Sequence, residues 1–535
     1  MKQPLTISEV ISNAMIVLAV IAFLMQIPID DSTENIVTAV IILIGSMIAL
    51  LYFRYSDALQ THPISSFVIF GFCATTQYGA LLVQSATFNS VSKYLRQPIY
   101  TFSVLAFYLL IAIAAHMTFR LFSSPDSKPE HNLGGLRRIL EKLNLYAIPP
   151  VYIVWPIGVI GLIALLSSGA VDSQRNLGNK ISIGISFLAW APFLIPIFVG
   201  QVGRQYCNTK VHYAILTGFA ALFALIGIAG SARFIIVSGV TTMSLIMLLI
   251  GMRSKRAATS KQIYQAVLVL AVCAAMLVPV GQLATAMVVV RSHRYSYSAS
   301  QMVSATVDVL MDPKTIDTVR SKDKLAALTK SYDEYYIESP ILARFINTKF
   351  HDTALYFAGK LTERGQDELT DTTIDLAWSL LPDPVLKFFG VNVNKSQLKF
   401  TIGDYLKHQA TGAPLGDYDY GSNVAHGIAI FGWFFPVIYF GLCLLSYWGL
   451  EFLTYKNKKG EIMVSMVASL LLWRLFITGI TSDSILGAIA FTFREIPQSI
   501  IIFIITYQVA RLIAYPFMVA DRLFTVKKVR SGNIK

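Results

Sequence analysis

The chain has 535 residues, 55% hydrophobic and only 14% charged, with a mean hydropathy of +0.58. These values exclude a string of soluble domains and point to an all-α polytopic membrane protein. The formal net charge of +13 does not indicate nucleic acid as a partner, because the basic residues sit mostly in short connections between apolar runs, where they orient a chain in a bilayer.

Apolar runs near the length that crosses a hydrocarbon core, about 20 residues, stand near 7–28, 35–53, 64–84, 98–120, 148–170, 181–202, 212–230, 234–252, 262–290, 427–449, 461–480 and 496–514. They predict about twelve transmembrane helices. The first has no small-residue cleavage site before the second, so it reads as a retained helix and not a signal peptide. Only Ser231, Ala232 and Arg233 separate the seventh from the eighth, which predicts a tight hairpin or a pair of broken helices. Three regions follow: membrane helices over 1–290, a cap over 291–426, and membrane helices with a basic tail over 427–535. The four cysteines, Cys73, Cys207, Cys273 and Cys443, lie in or beside apolar runs, and imply neither a disulfide scaffold nor a cysteine zinc site.

With alternating spans, four basic loops fall on the same side as both termini. They hold Arg120, Lys128, Arg137, Arg138 and Lys142; Arg204 and Lys210; Arg253, Lys255, Arg256 and Lys261; and Lys456, Lys458 and Lys459. Lysine and arginine bias makes that side the cytoplasm. The connections at 29–34, 85–97, 171–180, the Arg233 hairpin, 291–426 and 481–495 then face outwards.

Within the long outer stretch, SASQMVSATVDVLM, DKLAALTKSYDEYY and PILARFINTKFHDTALYFAGKL carry apolar residues at helical steps. Pro382 and Pro384 break the pattern, and TGAPLGDYDYGSN leads back to the membrane. This predicts a helical cap. Its charges nearly balance, which suits a folded unit better than a basic tail.

Charged groups inside a span are costly and tend to face a cavity, whereas those at a span end can reach the headgroups. Arg233, Arg291, Arg294 and Arg494 stand at outer ends and read either as headgroup anchors or as ligands for an anion. Arg474 lies about one and a half turns below the outer end of its span, with no carboxylate one turn away on its own helix. Glu495 is placed to neutralise its neighbour Arg494. Converging guanidinium groups would suit a pyrophosphate leaving group, since their forked donors grip phosphate oxygens in pairs. His426 opens the tenth run, where it is either a boundary residue capped by Ser422 or Asn423, or a base for a sugar hydroxyl. Tyr405, Asp417, Asp419, Tyr418 and Tyr420 read as a solvated, sugar-contacting loop. No GxxxxGK[ST], HExxH, EF-hand or GxSxG pattern occurs, so neither a nucleotide, a metal nor any other cofactor is expected.

The order of features, with a hairpin reading GSARFIIVSG, a large late loop, LLPDPVLKFFG, and TIGDYLKHQATGAPLGDYDYGSNVAHGIAIFGWFFP, resembles the O-antigen and exopolysaccharide polymerases of the Wzy type. It is more distantly similar to the O-antigen ligases, which share a hairpin arginine and a histidine at the end of the large loop. The resemblance in topology covers most of the chain; the motifs are confined to about 230–240, 380–436 and 291–294. It implies a GT-C-like membrane glycosyltransferase of a bacterial inner membrane, metal-independent and inverting. Its donor and acceptor would be undecaprenyl-pyrophosphate-linked repeat units, joined in the periplasm among membrane lipids. A chain-length regulator and a flippase are candidate protein partners. Carried over, Arg233 matches the hairpin arginine, Arg291 or Arg294 the arginine before the loop, and His426 the ligases' histidine. Two alternatives stay open: a ligase that transfers glycan to lipid A core, and a transporter or flippase of a lipid-linked oligosaccharide.

Overall fold

The computed structural model describes residues 4–123, 134–167, 177–293, 296–312, 314–318, 336–337, 342–381, 383–395, 398–417, 419–457 and 459–532. Among them nine helices are long and apolar enough to cross a membrane, and the helices Val151–Ser167 and Met466–Ile477 and the apolar stretch Ala275–Val290 of a longer helix stand where the remaining spans are expected. The protein is an all-α, multi-pass membrane protein.

The helices begin where local chemistry satisfies their free N–H groups. Thr6 and Glu9 form a capping box at the start of α1 (Ile7–Ile29), and Ser32 accepts from Asn35 N–H at the start of α2 (Thr33–Tyr55). Then α3 (Pro63–Cys73) runs through a π-turn at Ala74–Tyr78 into α4 (Gly79–Ala86). Every residue of α3 is buried, so it is the helix around which the bundle is built. Against it lie α2 and α5 (Pro98–Phe122). The next spans are α6 (Val151–Ser167), α7 (Leu177–Ser186), which continues through a 3-10 segment into α8 (Ile195–Val202), and the hairpin of α9 (Thr209–Ala229) and α10 (Arg233–Arg253). The following helix, α11 (Ser260–Val290), exposes Val267, Val269 and Val278, as a helix facing lipid does.

The cap is helical and is fixed to the bundle. Its longer described helices are α12 (Ala299–Leu310), α13 (Thr348–Ala358), α14 (Glu363–Ser379) and α15 (Ile402–Thr411). The expected helix DKLAALTKSYDEYY, apart from its last residue, lies outside the described residues. Just before α13 the chain reaches into the bundle: Asn347 N–H donates to Thr75 O at 2.9 Å, and Thr348 Oγ1 donates to Thr76 O at 3.3 Å. Both acceptors belong to the π-turn, whose altered geometry presents these carbonyls sideways to the cap. On α13, the buried carboxylate of Asp352 accepts from Arg96 N–H (2.8 Å), Gln97 N–H (3.1 Å) and Thr101 Oγ1 (2.9 Å). Asp352 thereby caps the start of α5, where the helix dipole favours negative charge.

After the cap the chain continues through a broken helix. Ser422 caps α16 (Asn423–Phe431), four residues before the expected run, so the boundary at 426 falls inside a helix. At Gly432 the backbone turns to φ +51° and ψ −131°, a conformation open mainly to glycine. The chain then continues as α17 (Phe435–Glu451), a hairpin of β1 (Thr454–Lys456) and β2 (Ile462–Val464), and α18 (Met466–Ile477). Last come α19 (Ile485–Ala490), a π-turn at Phe491–Glu495 and α20 (Ile496–Gly532). α18 packs on α3 and α10.

Candidate functional site at the foot of the cap

The loop TGITSDS, residues 478–484 between α18 and α19, is where the cap and the bundle meet. It is clamped from several sides. Asn423 N–H donates to Ser482 O, and its side-chain amide to Ile480 O, both at 2.9 Å. Asn347 Nδ2 donates to Ile477 O at 2.9 Å. Gly421 lies so close to the Asp483 carbonyl that any Cβ there would collide with it. The GSN before His426 therefore serves as a brace that fixes this loop.

His426 is fully buried on α16. Its Nδ1 accepts from Ile485 N–H at 3.4 Å, and Nε2 lies 2.9 Å from Thr373 Oγ1. The threonine donates its own proton to Leu369 O at 2.7 Å, so it receives one from Nε2–H, and this network assigns a neutral ring with both nitrogens engaged. No lone pair is left for a sugar hydroxyl. His426 ties cap helix α14 to α19, which makes it a positioning residue in this arrangement.

Arg474, near the end of α18, pairs with Glu495 at 2.5 Å and lies over the Phe491 ring at 5.4 Å from its centroid. Glu495 thus neutralises Arg474 and not its neighbour Arg494, which is exposed. Adjacent residues on a helix point in different directions, and the π-turn at 491–495 aims Glu495 across to α18. The Arg474 side chain is 51% exposed.

Asp483 is the functional candidate that the sequence reading missed. It is partly exposed at the tip of the clamped loop, and its Oδ1 accepts from Ser484 Oγ at 3.4 Å. Burial raises its pKa above the usual carboxylate value, and the hydrogen bond from Ser484, backbone N–H groups and the charge of Arg474 offset this only in part. The other ionisable groups nearby are committed elsewhere. Glu495 is paired, Asp352 holds three donors, and His351 Nδ1 bonds Ser422 Oγ at 2.7 Å. A signal was present, because Asp483 and Glu495 are the only acids between 462 and 520.

The hairpin that precedes Arg233 places Ser231 at φ +49°, with its hydroxyl donating to Met287 O on α11 at 3.2 Å. This seats the hairpin beside the end of α11, four residues before Arg291, which is exposed. The Arg233 backbone opens α10, which packs on the helix carrying Arg474; its side chain and Arg294 lie outside what the structure describes. Among the described residues Arg291 and Arg494 have no acidic partner. The sugar-contact candidates separate by burial. Tyr405 is buried against Phe400 and Tyr420 packs on Phe350, so both rings hold the cap together, and Tyr418 lies outside the described residues. Asp417 pairs with Lys407 at 2.5 Å while 59% of its side chain stays exposed, and Asp419 meets the same lysine at 3.0 Å. Among the described residues no three His, Cys, Asp or Glu side chains converge as metal ligands would. No protein-family model matches the chain, and no curated protein or solved structure matches it either.

Proposed function

We propose that the protein is a glycosyltransferase that polymerises undecaprenyl-pyrophosphate-linked oligosaccharide repeat units at the capped face of the membrane. One observation carries this reading: a half-exposed arginine, Arg474, whose charge acts on a carboxylate of raised pKa, Asp483, in a loop held rigid between cap and bundle. The first suits a departing pyrophosphate, and the second suits a hydroxyl that must lose its proton. On this reading the twelve apolar helices all cross the membrane in a GT-C-like arrangement, the capped face is periplasmic, and both termini are cytoplasmic.

The reaction follows from these roles. The Asp483 carboxylate takes the proton of the acceptor's terminal hydroxyl as that oxygen attacks the anomeric carbon of the donor. The carbon–oxygen bond to the pyrophosphate breaks, its electron pair leaves with undecaprenyl pyrophosphate, and Arg474 stabilises the growing charge, assisted by Arg233 and Arg291 at the same end. Single displacement inverts the anomeric centre, and Asp483 returns its proton to water. His426 and Asn423 hold the loop in position, and Asp417 is available to the glycan.

The test is direct. Purified protein in lipid, given only lipid-linked repeat units, is expected to yield a ladder of longer glycans. Unchanged substrate from intact protein would sink the proposal.

A further inference from the structure

The end of the bundle opposite the cap carries a second polar site that the proposed reaction does not use. Its core is a chain of buried hydrogen bonds whose direction can be deduced. Glu451 Oε1 accepts from Ser65 N–H at 2.9 Å and from Ser65 Oγ at 2.7 Å. The other acceptor within reach of that hydroxyl, His62 O, is at 3.4 Å, so the serine's one proton goes to the carboxylate. The serine oxygen must then accept from His116 Nε2–H, 2.8 Å away. This leaves Nδ1 as a lone pair, which takes the Tyr52 hydroxyl proton at 2.7 Å. The tyrosine oxygen in turn accepts from Arg120 Nη1, at 3.5 Å. Ser65 and His116 are fully buried. A chain fixed at its inner end by a carboxylate therefore holds a guanidinium at its outer end.

Arg120 lines an open cavity of about 420 Å³ together with Tyr52, Ser56, Thr61, His62 and Met117. No acidic residue is among the lining residues, and Asp57, which lies nearby in the chain, pairs with Lys255 at 3.5 Å. Arg54 lies over the Tyr55 ring. Among the described residues Tyr52 engages one of the five guanidinium donors, and Ser56 adds a hydroxyl, whereas the Thr61 proton goes to Asp57 O at 2.8 Å. Met117, Leu121 and Tyr55 form an exposed apolar rim, continuous with the surface that faces lipid chains. Donors without a counter-charge among the described residues, set behind such a rim at a span end, match a phosphate carried on an acyl-chain lipid.

We propose that this cavity binds the phosphate headgroup of an anionic lipid, with Arg120 as the fork that grips it and the Tyr52–His116–Ser65–Glu451 chain as the support that aims Arg120. The inference does not depend on the polymerase reading. It has an internal reporter, because burial and the Arg120 charge together hold the His62 imidazole down at about 4. A bound phosphate offsets the charge of Arg120 and so raises the His62 pKa. The groups facing that ring are Arg120, His116 and Thr61, whose hydroxyl lies 3.0 Å from Nδ1.

The experiment uses the full chain in phosphatidylcholine nanodiscs with a minor fraction of phosphatidylglycerol. Lipid retention is read by native mass spectrometry, and His62 titration by NMR. The wild type is expected to retain phosphatidylglycerol, Arg120→Gln to lose about tenfold in affinity, Arg120→Lys to fall between, and Arg54→Gln to match the wild type. Tyr52→Phe, which removes the support without removing the charge, is expected to weaken retention several-fold. Wild-type retention by Arg120→Gln, or equal loss in Arg54→Gln, would overturn the proposal. Inorganic phosphate in pure phosphatidylcholine discs is the arm for a free anion: a His62 shift as large as that with phosphatidylglycerol would rule out the lipid as the source.

Discussion

Asp483 and His426 show how placement divides chemistry from support. Both are ionisable residues near a span end, but His426 has its two nitrogens engaged whereas Asp483 is poorly bonded and partly open. Asp483→Asn is expected to abolish elongation while raising the melting temperature. The sign follows from linkage: a carboxyl whose folded pKa lies above its unfolded value costs stability at every pH above that unfolded value, and the amide removes the cost. Wild-type ladders from Asp483→Asn would pass the proton to another acceptor. His426→Ala is expected to lower stability and rate together without moving the acidic limb of the pH profile, since it loosens the loop and takes no proton. Arg474→Ala is expected to stop elongation in a protein that still folds, because a partly exposed ion pair is worth only about 1 kcal/mol or less. Glu495→Gln keeps the cation and is expected to retain ladders; activity in the first variant and none in the second would reverse the roles. The sequence could place Arg474 near an outer end, but its partner lies on another helix, 21 residues away, and such pairings depend on packing.

The helices themselves were largely legible, because hydropathy follows the thickness of a bilayer and every expected run coincides with an apolar helix. The breaks were not. GIAIFGWFFP reads as an uninterrupted apolar stretch, yet Gly432 splits it, since apolar content reports burial or lipid contact and says nothing of φ. The π-turns at Ala74–Tyr78 and Phe491–Glu495 are similarly silent in composition, although one receives the cap and the other aims Glu495. His351 and Asp352, adjacent on α13, serve as joints between cap and bundle. Asp352→Ala leaves two N–H groups and a buried threonine hydroxyl without their acceptor at the partly buried start of α5. The expected loss is about 2–4 kcal/mol, measured as a lower melting temperature in detergent, with protease cleavage in the cap appearing first. Asp352→Asn keeps one acceptor oxygen and is expected to recover part of that loss.

At the scale of the whole chain, one late polar stretch stands apart from many apolar runs as an insert, and its described helices pack on the bundle. What the pattern could not say is that this insert and the bundle share a core, with Ile346 buried among Ala39, Ile42 and Phe102. Cap and bundle should therefore resist acid together until a buried group at their junction charges. His351 is that group. It is 2% exposed, and burial pushes its imidazole down to about 4. A histidine held neutral in the fold but free to charge when unfolded gives an unfolded state that binds more protons below 6.5, its ordinary value. Stability is thus unaffected above about pH 6.5, falls as the pH drops below it, and levels near pH 4, with a total loss on the order of 3 kcal/mol. His351→Gln keeps a polar side chain at the same place without the titration. Melting temperatures from pH 7.5 to 4.5 are expected to fall more steeply for the wild type than for this variant. Parallel curves would separate the joint from any acid response and leave its role purely one of packing.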